Sequence, residues 1–153
     1  MSQLKNRSHY PISVDSVIFG YTEGELKVAL IERKKEPFAG MWAIPGGFME
    51  GNETVEETAL RELKEETGIS NIEVIPGYLV TINYSYYREK VLHEKQVDFF
   101  LGKVFDINIE ISHEHTEFIW ASYASALELI TFDNARDVLI SAESFLSINQ
   151  LSK

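Results

Sequence analysis

Apolar and polar positions alternate through most of the chain and take up a helical period in the middle and near the end. Residues 12–20, ISVDSVIFG, are rich in β-branched side chains and predict a strand. TEGE at 22–25 is turn chemistry, and LKVALIER at 26–33 returns as a second strand. Residues 34–40 predict a loop, and MWAIP at 41–45 a short strand ended by Pro45 and the glycines behind it. β-forming residues resume over 72–86, broken at Pro76 and Gly77, before a polar connector over 87–94. KQVDFFLGKVF at 95–105 and EFIWAS at 117–122 predict two further strands. SYASALELI and then DNARDVLISAESFL read as closing helices, the second with Asp133 as its cap and apolar residues at 135, 138, 139, 142, 145 and 146. Strands first, one embedded helix and a helical end predict an α/β fold, an α/β/α sandwich on a mixed β-sheet.

The embedded helix lies in residues 45–69, PGGFMEGNETVEETALRELKEETGI. Thr54 with Glu57 three residues on forms a capping box, and Gly68 supplies the stop. Val55, Ala59, Leu60 and Leu63 make the apolar stripe. Glu62, Glu65 and Glu66 stand at i, i+3 and i+4 on one face, with Glu62 and Glu66 at the edge of that stripe. Like charges at a partly dry edge are unfavourable unless something positive binds there. Arg61 offsets part of the cost by pairing with Glu57 and Glu65, four residues either way, and a divalent cation would offset the rest.

Composition narrows the setting. A chain of 153 residues, 44% hydrophobic and 25% charged, is one ordinary domain, with residues 1–9 as a flexible tail and 10–153 as the folded unit. The net charge of −10 argues against a nucleic-acid groove and against RNA substrates. Half of it comes from residues 50–66, where seven Glu face Arg61 and Lys64. The absence of cysteine excludes disulfides, thiolate catalysis and cysteine-ligated zinc. The first residues lack an apolar signal region and no run approaches a membrane span, so the expectation is a cytoplasmic protein without membrane contact, monomer or homodimer.

The helix has a further regularity. Gly47, Glu53 and the run Arg61, Glu62, Leu63, Glu65, Glu66, Gly68 and Ile69 fill nine positions of one spacing. The chance frequency of such a match is on the order of one in a billion per starting point. The stretch resembles the Nudix box, GX5EX7REUXEEXGU with U aliphatic, at every fixed position. The resemblance implies the Nudix α/β/α fold and hydrolysis of a diphosphate linked to another moiety, usually in a nucleotide. It implies Mg2+ or Mn2+ on Glu65 and Glu66, with the Gly47 carbonyl nearby, Glu62 as a further ligand or the base, and Arg61 orienting Glu65.

Other stretches bear on substrate. SHEH at 112–115, the following EFIW, INY at 82–84 and the strand from Lys95 resemble asymmetric diadenosine tetraphosphate hydrolases. That resemblance implies Glu114 as a distal metal ligand or base, Lys95 as a phosphate contact, and Tyr84 with Phe132 as an adenine clamp. Arg33, at a strand end before the box, resembles the basic residue that touches phosphate in similar proteins. VDSVIFG and KKEPFAGMWAIPGGF are instead closer to ADP-ribose pyrophosphatases and to the Nudix half of NAD-linked transcription regulators. The expected substrate is therefore a dinucleoside polyphosphate, with ADP-ribose or another nucleoside diphosphate conjugate as the alternative and a non-catalytic nucleotide sensor as the remote one.

Overall fold

A computed structural model describes residues 12–34, 39–107 and 117–149, with Tyr84 and Arg88 described by backbone alone. The predicted tail at 1–9 and the SHEH loop carrying Glu114 lie outside the described residues. The chain runs β1 (Ile12–Thr22), β2 (Glu25–Glu32), β3 (Trp42–Ala43), β4 (Gly46–Phe48), α1 (Val55–Thr67), β5 (Glu73–Val74), β6 (Val80–Arg88), β7 (Val91–Lys103), β8 (Glu117–Ser122), α2 (Tyr123–Leu129) and α3 (Asp133–Ile148).

The strands form one mixed sheet of eight, in the order β3-β2-β1-β7-β5. β4 pairs with β1, β6 with β7 and β8 with β2. β1 and β7 run parallel, and the other pairs are antiparallel. β1 is the central strand, which explains its nearly unbroken apolar run: both of its faces are covered. Val17 and Phe19 face the core closed by Val138, Leu139, Ala142 and Leu146 of α3. Ile18, between them, faces the second core with Leu63 of α1, Ile69 and Val104. The expected α/β/α sandwich is what forms, with α1 on one face and α2 and α3 on the other.

Four local expectations need correction. The polar connector over 87–94 is a hairpin. Glu89 (φ 53°) and Lys90 (φ 66°) take the left-handed conformation of a two-residue turn, so residues on both sides stay in register, Arg88 opposite Val91. Nothing in the residue types at 89 and 90 announces that turn, because glycine and asparagine usually supply it. MWAIP contributes only Trp42–Ala43 to a strand, whereas the glycines expected to end it build β4. Leu60 is 38% exposed, and the buried face of α1 is Thr58, Ala59, Leu63 and Thr67. The two threonines fit because their hydroxyls are bonded within the helix, Thr58 to the Thr54 carbonyl and Thr67 to the Leu63 carbonyl. Asp133 is the first residue of α3 and not its cap. Its carboxylate accepts from Arg136 Nη1 at 2.8 Å, while Arg136 also donates to the Leu127 and Ile130 carbonyls and fastens α2 to α3.

Candidate active site

The site forms where β4 is pressed between β1 and α1. The register sets Ser13 opposite Phe48, Val14 opposite Gly47 and Asp15 opposite Gly46. α1 starts where Thr54 Oγ1 accepts the Glu57 amide at 3.1 Å, and stops where Gly68, at φ 78°, donates to Lys64. Those two ends fix the helix so that Glu62 and Glu66 point at the β4 backbone. Gly46 N donates to Glu66 Oε2 at 3.2 Å. A Cβ at Gly47 would overlap the Glu62 carboxylate, and one at Gly46 would overlap Asp15 Oδ1. Both glycines are therefore required by close approach of carboxylates to backbone.

Arg61 organises the rim. Its Nε and Nη2 donate to the two oxygens of Glu53 at 2.6 and 3.0 Å, a bidentate pair. Nη1 donates to Glu62 at 2.9 Å and Glu65 at 3.3 Å, and Nη2 to the Phe48 carbonyl at 3.0 Å. The expected partner Glu65 is present; in place of Glu57 stands Glu53, just before the helix cap, folded back over the first turn. The Arg61 hydrogen bonds, helped by the Glu50 amide, hold the Glu53 carboxyl down at about 2.

Deeper in the site the carboxyls shift the other way. Burial pushes Glu66 up to about 8, with Glu62 and Asp15 adding to the effect and the Gly46 amide opposing it. Burial likewise raises Asp15 to about 7, against the pull of Lys95, Ser13 and Arg33. Glu62 is raised by burial in spite of Arg61. Three carboxyls thus share a partly dry volume in which the adjoining guanidinium is already divided among Glu53, Glu62 and Glu65. The donors are all oxygen, which suits a hard divalent cation. Among the described residues no three His, Asp or Glu side chains close into a ready-made cage.

The other sequence candidates fall around this centre. Arg33 follows β2, where its backbone closes the loop to Gly40 and Met41, and its charge reaches Asp15. Lys95 also acts on Asp15 and lies over the Phe48 ring. Tyr84 is opposite Lys95 in the β6–β7 ladder. Phe132, 39% exposed, precedes α3 at the far side of the strand order, just after the bridge between Ile130 and Trp42 of β3. Sequence reasoning passed over Asp15 and Phe48. An aspartate inside an otherwise apolar strand was the available signal for the first.

The NUDIX domain family model matches residues 9–142. The chain belongs to that family. It is 51% identical over 61 residues to an ADP-ribose pyrophosphatase of Methanocaldococcus jannaschii, a match spanning 40% of this chain and about a third (34%) of that relative's length. It is 37% identical over 109 residues to the asymmetrical bis(5'-nucleosyl)-tetraphosphatase of Mus musculus, covering 69% of this chain and 71% of the other. The fold is similar to that of a C. elegans Ap4A hydrolase in binary complex. The TM-score is 0.76 at 22% identity, over 90% of this chain and 98% of that one. No helix among the described residues of this Nudix chain is long and apolar enough to cross a membrane.

Proposed function

We propose that this Nudix protein is a divalent-cation-dependent hydrolase of a diphosphate linkage in a nucleotide. Its leading substrate is a dinucleoside polyphosphate, diadenosine tetraphosphate cut to ATP and AMP; ADP-ribose is the second. The observation that carries the reading is the gathering of carboxyl oxygens on the β4 glycines, with Glu66 accepting the Gly46 amide at 3.2 Å, the Glu62 carboxylate against Gly47 and Asp15 against Gly46: a set of oxygen donors that a cation completes. The tetraphosphatase relative, matched over most of both chains, supports the first substrate, and the pyrophosphatase relative, more similar over a shorter stretch, supports the second.

Glu62, Glu65, Glu66, the Gly47 carbonyl and Glu114 would hold Mg2+ or Mn2+. When bound, such an ion lowers the pKa of a coordinated water and neutralises charge on phosphoryl oxygens. The protein's own residues do the rest. Arg61 fixes Glu62 and Glu65 through its 2.9 and 3.3 Å contacts, so the helix carboxylates are preorganised before substrate arrives. Glu62 or Glu114 accepts the proton of the attacking water. Arg33 and Lys95 take phosphate oxygens. Hydrolysis breaks one phosphorus–oxygen bond of the anhydride and forms one to the water oxygen.

Purified protein stripped with chelator, then resupplied with Mg2+ or Mn2+, should be inactive and then active on a panel holding diadenosine tetraphosphate and ADP-ribose. Products identified by mass after reaction in 18O-labelled water give the linkage and the attacked phosphorus together. Full activity of demonstrably metal-free protein would sink the cation reading. Markedly higher efficiency on ADP-ribose, yielding AMP and ribose 5-phosphate, would reverse the order of the two substrates.

A further inference from the structure

Phe48 is the aromatic of the site that nothing above has used. Its strand is pinned on every side. Ser13 is its register partner on β1, Met49 N donates to the Ile12 carbonyl at 3.0 Å, and the Phe48 carbonyl accepts from Arg61 Nη2 at 3.0 Å. The backbone is thus tied through one guanidinium to the carboxylates Glu53, Glu62 and Glu65. The ring itself is 50% exposed. A single exposed aromatic needs no special account, but this one carries a cation on its face: Lys95 Nζ lies 5.0 Å from the ring centroid.

Topology creates the pairing. Phe48 stands beside Ser13 on one side of β1, and Gln96 stands beside Ile12 on the other, which brings Lys95 to the same end of the sheet. Lys95 in turn is opposite Tyr84 on β6. A flat apolar face, an ammonium and the carboxyl cluster of the site therefore adjoin one another.

We propose that Phe48 is the seat of the substrate's nucleobase, occupied at rest by the Lys95 ammonium. On binding, the base takes the ring face and Lys95 turns to the adjoining phosphate. The exchange is favourable on both sides. An exposed cation–π contact is weak, whereas a base stacked on an aromatic side chain gains more and does so for any base, since every base has a π-face. The displaced ammonium exchanges a quadrupole for a full negative charge. This inference rests on the hydrolase reading for the chemistry, and adds that the base-bearing half of the substrate is chosen by Phe48, with little discrimination between purines and pyrimidines.

The test separates base from phosphate, using binding in place of turnover. AMP and ribose 5-phosphate, the same anion without its base, are titrated calorimetrically into the full chain, its Phe48→Ala variant and its Phe48→Tyr variant. Alanine at this half-exposed position should weaken AMP by about fivefold or more, leave ribose 5-phosphate within about twofold, and tyrosine should restore AMP. Equal weakening of both ligands, unchanged AMP binding in Phe48→Ala, or AMP binding the unaltered chain no tighter than ribose 5-phosphate would each overturn the seat. The hydrolase reading fails separately. If the unaltered protein cleaves no nucleotide diphosphate while the base-dependent loss is seen, the seat stands without the reaction. If Phe48→Ala cleaves nucleotide diphosphates with unchanged KM, the reaction stands without the seat.

Discussion

Replacing Glu66 with glutamine should stabilise the metal-free protein in alkaline solution and destabilise it relative to the parent once Mg2+ is added. Glu66 has an ordinary carboxyl value of 4.5 in the unfolded chain and about 8 in the fold. The difference penalises the ionised folded form by at most about 5 kcal/mol, at roughly 1.4 kcal/mol per pH unit. Glu62 and Asp15 titrate with it, so part of that penalty belongs to the cluster and persists in the variant; about 2 kcal/mol is the share released. The sign follows from the raised value. Below pH 4.5 the carboxyl is protonated in both states and costs nothing; stability then falls as pH rises toward 8 and levels off above it. Glutamine has the same shape and no such slope. Urea or thermal unfolding in chelator should show no difference at pH 4. At pH 9 the variant should be ahead by about 2 kcal/mol, or about 4–8 °C in Tm for a domain of this size. With Mg2+ at about a hundred times its Kd the parent gains about 2.7 kcal/mol that the variant lacks, and the order reverses. Turnover should fall about a hundredfold or more. Parallel pH profiles for the two proteins in chelator would refute the claim that Glu66 is a buried, crowded anion.

Three further substitutions test the surrounding geometry. Gly47→Ala should cost about 1–3 kcal/mol in urea unfolding and lower turnover with the fold intact by circular dichroism, since its methyl would overlap the Glu62 carboxylate; an alanine that is neutral in both assays would mean that close approach does not exist. Glu62→Gln and Glu114→Gln assign the base: whichever takes the proton should lose kcat severely with KM within about twofold, and near-normal kcat in both would exclude either.

What was legible in the sequence was what neighbours in the chain determine. The capping threonine, the helix stop at Gly68 and the carboxylates sharing one face follow from spacing on a single helix, and all appear as expected. Two of the errors come from features that folding supplies and residue type does not. Arg61 was expected to find Glu57 four residues away, yet its bidentate partner is Glu53, because the loop before the cap curls over the first turn. Residues 87–94 look like a connector because their polarity is visible and the left-handed backbone at Glu89 and Lys90 is not.

The same distinction separates reaction from substrate. Most of the groups proposed to hold the cation, Glu62, Glu65, Glu66 and the Gly47 carbonyl, lie on α1 and the glycines just before it, so their spacing can be read in one short stretch. The groups that would meet the rest of a nucleotide reach the site by strand pairing: Phe48 through β4 on β1, Lys95 through the parallel step from β1 to β7, Tyr84 through the hairpin of β6 and β7. Each is an ordinary strand residue by type, and only the register gives it a neighbour. Asp15 shows this most plainly. In the sequence it interrupts an apolar strand; in the fold it is opposite Gly46 and within the fields of Lys95, Arg33 and Glu62 at once. A chain can therefore match the box at every fixed position and still resemble two substrate classes in its two halves, because the residues proposed to meet the substrate are placed by strand pairing and not by the box.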